Sequence, residues 1–334
     1  MSRMPPLSVA PMMDITDRHF RRFIRTISRH VLLYTEMITE QAIRYGDADK
    51  LLGFDDSQHP VSLQLGGSDA RGLADATRAA WQFGYDEVNL NVGCPSDRVQ
   101  SGRFGACLMN EPEHVASLVG AMIEASPLPV TVKHRIGVDD NDSFDALLSF
   151  VDTVAAAGVT RFTVHARKAW LKGLSPRENR EVPPLRYETV KTLAAVRPDL
   201  SFELNGGVSD LEQARQHLSA VDAVMLGRAV TADPYVLARA DTDFFGSDAE
   251  VPTRTGAVLA YLPYLEGELG SGVPFRVLVR PLLGMFSGQR GARAWRRSLS
   301  ESSLVPAAGP EELLQALGHV QDGSPGRPAT LAHA

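Results

Sequence analysis

Cysteine is scarce in this chain: Cys94 and Cys107 are the only two in 334 residues. They form no CxxC pair and no disulfide framework, which excludes a disulfide-stapled scaffold and fits a reducing compartment. Long hydrophobic runs are missing too. No stretch approaches the ~18 apolar residues that cross a bilayer. The opening Met1-Ser2-Arg3-Met4-Pro5-Pro6 lacks the apolar core of a signal peptide. The expectation is a cytoplasmic protein with no membrane partner. Without an HExxH or a Cys/His cluster, no metal is expected. Without GxGxxG after a strand or GxxxxGKS/T, neither a Rossmann nor a P-loop site is expected.

What remains is ordinary in amount and uneven in distribution. Apolar residues make up 44% and charged residues 22%, as in a soluble globular protein. The 40 acids outnumber the 34 bases, for a net charge of −6, which taken whole argues against a nucleic-acid partner. Yet residues 161–180 set Arg161, Arg167, Lys168, Lys172, Arg177 and Arg180 against the single acid Glu178. Residues 276–297 hold six arginines and no acid. Segregation of this kind makes a directional field that net charge hides.

Short apolar or alternating runs predict strands at 7–10, 31–35, 61–65, 87–91, 130–133, 161–165, 201–205 and 222–226. Amphipathic patterns predict helices at 17–28, 69–83, 112–125, 143–157, 186–196, 210–219 and 231–240. Strand then helix, repeated, means a parallel sheet. Eight strands and right-handed crossovers favour closure into an α/β fold, the (β/α)8 TIM barrel. The link 36–60 shows no clear pattern, and 166–185 is a long polar insertion. Phe244-Phe245-Gly246-Ser247-Asp248 reads as a boundary, and 253–300 has only helical periodicity. The expected organisation is a barrel over 1–245 and a small C-terminal all-helical domain over 246–320. A disordered tail is expected over 321–334, which includes Gly-Ser-Pro-Gly-Arg-Pro.

The run Asn89-Leu90-Asn91-Val92-Gly93-Cys94-Pro95-Ser96 ends a strand abruptly. It puts a thiol on a loop past the strand's carboxyl end, the rim where barrels do chemistry. With Gly93 before it and Pro95 after it, Cys94 reads as an acid or nucleophile rather than core filler. Cys107, between Ala106 and Leu108, reads as packing. Other strand ends carry Pro11-Met12-Met13-Asp14, Gln64 before Gly66-Gly67, Lys133-His134-Arg135, His165-Ala166-Arg167, Asn205-Gly206-Gly207 and Gly227-Arg228. Such a set reads as a ring facing one ligand. The glycine turns after strands seven and eight suit a phosphate, with Arg228 adding a charge-assisted contact; simple turn closure is the alternative. A cation at Lys133 suits a ligand that gains negative charge, as a flavin does at its N1/O2 edge on reduction. Gln64 suits that ring's pyrimidine portion. A snorkelling lysine and a satisfied core histidine are the alternatives at Lys133 and His165. Over 290–299, Arg293, Arg296 and Arg297 share a helical face opposite Ala292, Trp295 and Leu299. The apolar side packs on the helical domain and the arginine side meets phosphates.

Taken together and in this order, these residues make a chain that resembles the tRNA-dihydrouridine synthases, most closely the bacterial A-type subfamily. The motifs span about residues 5–300 and add Gly105-Ala106-Cys107-Leu108-Met109 and Val132-Lys133-His134-Arg135-Ile136-Gly137 to those above. The resemblance implies an FMN-bearing barrel, a C-terminal RNA-binding domain, NADPH as reductant and D-loop uridines 20 and 20a of tRNA as target. It implies Pro11, Met12 and Met13 beside the flavin and contacts from Gln64, Lys133 and His165. Asn205, Gly206, Gly207, Gly227 and Arg228 are implied near ribityl and phosphate. Cys94 matches the general acid, and Asn91 a residue near the target base. Arg177, Arg180, Arg293 and Arg296 match positions on the tRNA, and all four fall in the basic segments found from composition. A monomer without a stable protein partner is expected. The rival reading is a flavin barrel acting on a free pyrimidine, in the manner of a dihydroorotate dehydrogenase, which gives no reason for the arginine helix.

Overall fold

A computed structural model describes residues 4–96, 99, 101–305 and 307–320. All strands run parallel: β1 (Leu7–Val9), β2 (Leu32–Tyr34), β3 (Ile38–Thr39), β4 (Val61–Gly66), β5 (Glu87–Val92), β6 (Val130–Arg135), β7 (Arg161–His165), β8 (Ser201–Asn205) and β9 (Ala223–Leu226). Eight of them close into a ring, because β1 pairs with both β2 and β9, and β2 pairs with β4. Strand β3 is a short extra pairing on β4. This closed parallel sheet is the expected TIM barrel.

Helices follow the strands: α1 (Arg18–Ile24), α2 (Glu40–Tyr45), α3 (Ala48–Leu52), α4 (Ala70–Gln82), α5 (Pro112–Ala125), α6 (Phe144–Ala156), α7 (Tyr187–Val196) and α8 (Leu211–His217). Their starts are written in short polar side chains. Asp17, Thr39, Asp69 and Ser143 each accept a first-turn N–H of α1, α2, α4 and α6. Beyond β9 come α9 (Arg228–Ala232), α10 (Ala240–Phe245), α11 (Arg254–Gly270), α12 (Phe275–Val279), α13 (Ala292–Ser302) and α14 (Pro310–Leu317). The single helix expected over 231–240 is broken. α9 ends at Ala232, and a 3₁₀ turn spans Pro234–Leu237 before α10 begins. Pro234 has no N–H to continue the helix, and its ring clashes with the turn before it. The tail expected to be disordered lies outside the described residues.

The strands bury both faces, with opposite chemistry on each. Val88, Leu90, Val132, Phe162, Val164, Phe202 and Leu204 are buried on the face toward the helices. The alternate positions Ser62, Glu87, Asn89, Thr131, Thr163 and Glu203 are buried and polar. Glu87 of β5 bonds Tyr34 of β2 at 3.0 Å and Arg161 of β7 at 2.9 Å, and neither strand is its neighbour. That polar face is therefore the barrel interior.

The chain divides into two compact units. One holds all the strands, α2 to α7 and most of α8; the other holds α1 and α9 to α14. Residues 228–245 thus fall with the later helices. Within that second unit Phe23 of α1 meets Tyr261 of α11 edge-on, with centroids 5.4 Å apart. Trp295 of α13 is fully buried, donates its indole N–H to the Leu282 carbonyl at 3.0 Å and packs edge-on against Phe286. Gly291 precedes α13 with φ +90°, and a Cβ there would run into the His319 carbonyl.

Candidate active site

The carboxyl ends of β4, β5, β6 and β8 bring the expected residues together. Beyond β5, the N–H groups of Gly93 and Cys94 both donate to Asn91 Oδ1 at 3.0 Å. Asn91 Nδ2 then donates to Gln64 Oε1 at 2.8 Å, and Gln64 Nε2 to Asn89 Oδ1 at 2.8 Å. Asn89 Nδ2 donates to Thr131 Oγ1 at 2.9 Å, and Thr131 donates to Glu87 Oε1 at 3.0 Å. Backbone N–H groups can only donate and an ionised carboxylate can only accept. Both ends of the chain therefore demand the same polarity, which fixes how every amide in it points. Glu87 also accepts from Tyr34, Ser62 and Arg161, so the anchor is an ion pair deep in the barrel. Glu203 accepts from Ser8 and Thr163, and burial pushes its carboxyl pKa up.

Cys94 sits half-buried at the rim, with its carbonyl held by the Ala106 N–H at 2.9 Å and its Sγ 3.5 Å from Ser96 Oγ. Lys133 pairs in register with Asn91 across β5 and β6. Its Nζ donates to Asn205 Oδ1 at 3.0 Å, and Asn205 Nδ2 donates to the Met225 carbonyl at 3.0 Å. No carboxylate neutralises Lys133 directly among the described residues. Burial, and then the nearby Arg135, bring its pKa down to about 8. His134 lies between these two cations in sequence but faces outward, against Phe150 and Phe162. Burial brings its pKa down to about 4, so it stays neutral.

His165 ends β7 beside Asn205 in register and lies close behind Gly206. Gly206 has φ +116°, and a Cβ there would stand 2.6 Å from His165 Cδ2. Gly207 follows with φ +71°, and the Tyr187 hydroxyl donates to the Gly206 carbonyl at 2.8 Å. Gly227 faces Ala10 and Met12. Met12 packs on the apolar patch of Ala10, Leu32, Tyr34 and Met225, Pro11 is half-buried, and Met13 is exposed. Arg228 is exposed at the start of α9, in the second unit.

The insertion after β7 is an ordered loop. Asn179 is fully buried, and its side chain bonds the N–H and carbonyl of Trp170 and the Leu174 carbonyl. Arg177 and Arg180 on either side of it are exposed. In the second unit, α13 presents Arg293, Arg296 and Arg297 to solvent and buries Ala292, Trp295 and Leu299, as its periodicity predicted. Among the described residues Arg293 and Arg296 have no acidic partner. Glu87, Thr131 and Asn179 were not singled out from the sequence, and Arg135 stood there only within the strand-end run Lys133-His134-Arg135. The period-two run of Glu87, Asn89 and Asn91 is the visible signal for a polar interior. No helix is long and apolar enough to cross a membrane, and no metal-ligating cluster occurs among the described residues.

Fold and rim define the class: an α/β-barrel enzyme with a thiol, a cation and fixed amides gathered at the strand ends. The family model for dihydrouridine synthase (Dus) matches residues 8–320. The tRNA-dihydrouridine(20/20a) synthase of Synechocystis sp. is 56% identical over 316 residues, covering 95% of each chain. The proteins of that name from Shewanella oneidensis and Vibrio cholerae are 51% and 50% identical. Each alignment covers 94% of this chain, and 93% and 96% of the respective relative. The chain belongs to the dihydrouridine synthase family.

Proposed function

We propose that this protein reduces the uracil 5,6 double bond of tRNA uridines, with FMN as cofactor and NADPH as reductant. The observation that carries the reading is Cys94: a thiol on a locked rim loop, with Asn91 and Lys133 beside it. Two features of the chain suit FMN. Lys133 is a desolvated cation that, among the described residues, bonds a neutral amide and no carboxylate, so it has charge to offer an anionic ring edge. Gly206 and Gly207 adopt backbone conformations that favour glycine, and a Cβ on either would run into His165 or Leu185, so the chain makes a tight glycine turn at the strand end that suits a phosphate. Gln64 and His165 complete the ring contacts; Pro11, Met12 and Met13 border it; and Asn205, Gly227 and Arg228 serve ribityl and phosphate. When bound, FMN supplies hydride to uracil C6.

The chain's own residues do the rest. Asn91, its amide polarity fixed from both ends, orients the base. Cys94 delivers a proton to C5 from the face opposite the hydride. The uridine must leave its stack to reach the rim. Arg177 and Arg180 of the insertion, and Arg293 and Arg296 of α13, engage phosphates of the D-loop region. The barrel is the catalytic part and the C-terminal helices bind tRNA. Uridines 20 and 20a are the proposed targets, following the relatives' names. Free thiols suit a reducing cytoplasm, and nothing in the reaction requires more than one copy of the chain.

Cys94→Ala tests the assignment. The variant should keep its yellow flavin and its NADPH oxidation but lose dihydrouridine formation by ~10²–10⁴-fold. Turnover at the normal rate would remove Cys94 as the acid.

A further inference from the structure

Arg135 ends β6 with only 4% of its surface exposed. Among the described residues its guanidinium bonds only backbone carbonyls. Nε donates to Gly93 at 2.8 Å, and Nη1 to Lys168 at 3.1 Å and Asn179 at 3.0 Å. Among the described residues no carboxylate pairs with it. Burial brings its pKa down to about 10, so it is still a cation at neutral pH. Burying a cation without a counter-ion is costly. A purely space-filling role is met at lower cost by an apolar side chain.

The identity of the three carbonyls supplies a reason for that cost. Gly93 immediately precedes Cys94. Its peptide is held at both ends, the N–H by Asn91 and the carbonyl by Arg135. Cys94 is held by Asn91 through its N–H and by Ala106 through its carbonyl. Of these bonds, only that from Arg135 leads to the insertion. There Asn179 closes the loop on itself with its side chain while its carbonyl accepts from Arg135. Arg177 and Arg180 flank that residue. The inner edge of the insertion is also fastened, through Ala169 N–H to the Gly137 carbonyl and Asp139 N–H to the Ala169 carbonyl. A planar fork serves acceptors in two directions at once, which a point-like ammonium on a flexible stem does not.

We propose that Arg135 is a positioning residue that holds the Cys94 loop in fixed register with the RNA-facing insertion. It acts through the Gly93 peptide and does not itself touch the reacting atoms. This rests on the reading of Cys94 as the acid.

The test uses Arg135→Met and Arg135→Lys in the full-length FMN-loaded protein. Three quantities are read: flavin reduction by NADPH, kcat and KM for tRNA, and Cys94 alkylation by iodoacetamide. Alkylation is followed on the Cys94 peptide by mass spectrometry, with Cys107 as internal reference. Arg135→Met should lower kcat by ~10–100-fold, because a displacement of about 1 Å at the acid has that effect. KM for tRNA should stay within about threefold and flavin reduction should be unchanged. The alkylation rate of Cys94 should change severalfold while that of Cys107 does not. Arg135→Lys keeps the charge and should recover only part of kcat. If the Met variant does not fold, the Lys variant carries the test with the same pattern at smaller amplitude. Wild-type kcat and alkylation in either folded variant would overturn the proposal, as would a rise in KM alone. Turnover by Cys94→Ala would instead remove the acid role, while the alkylation comparison would still report on the tether.

Discussion

Lys133 shows how one residue's surroundings set what it offers a ligand. Its ammonium bonds the neutral amide of Asn205, and burial, then the nearby Arg135, bring its pKa down to about 8. The charged form is present below that pH and is lost as pH rises through it. Affinity of the flavin-free protein for FMN should therefore weaken as pH rises past about 8, as read by fluorescence titration. Lys133→Met should bind FMN more weakly at neutral pH and lose that dependence. An unchanged affinity for Lys133→Met would show that the lysine contributes nothing to the flavin. The largest cause of that shift is burial within the closed barrel, so the sequence shows the lysine and its neighbour Arg135 but not the pKa.

Strands and helices differ in how openly the sequence states them. The barrel strands were legible because two different environments alternate along them. Val88, Leu90 and Val132 face the helices, while Glu87, Asn89, Thr131 and Lys133 face inward, and period two follows from that. Strand β3 was not legible, since two residues cannot display a period. The break at Pro234 was legible in principle, but the apolar spacing across 231–240 masked it. The tether from Arg135 left no mark at all, because its partners are backbone carbonyls, and every residue has one. Helix α13 is the clearest case of agreement: its three arginines and its buried Trp295 lie on the faces the spacing dictates. Replacing Arg293 and Arg296 by Gln should lower the slope of log affinity for tRNA against log salt by ~1–2. Flavin reduction by NADPH should be unaffected. A slope equal to that of the unaltered protein would take α13 out of the tRNA interface.

Across the whole molecule, the barrel interior trades hydrophobic filling for an organised polar network. Its lower end is the Arg161–Glu87 pair, with Tyr34, Ser62 and Thr131 as further donors to Glu87. Its upper end is Asn91 and the Cys94 loop. Half-satisfied networks of this kind are worse than apolar ones. Arg161→Met should therefore cost about 3–5 kcal/mol of stability, read by denaturant unfolding, by leaving Glu87 without its cation. A cost under about 1 kcal/mol would mean that the neutral donors suffice. The net charge of −6 similarly conceals the molecule's organisation, with basic residues gathered in the insertion and in 276–297. That distribution, together with the thiol at the rim, favours a large polyanionic substrate over a free pyrimidine.

Incubating unmodified tRNA with purified protein, FMN and NADPH, followed by nuclease mapping and mass spectrometry, tests the central claim most directly. A gain of two hydrogens on D-loop uridines 20 and 20a is the predicted result. A yellow protein that oxidises NADPH and reduces free pyrimidines, while leaving every tRNA fragment unchanged in mass, would contradict it.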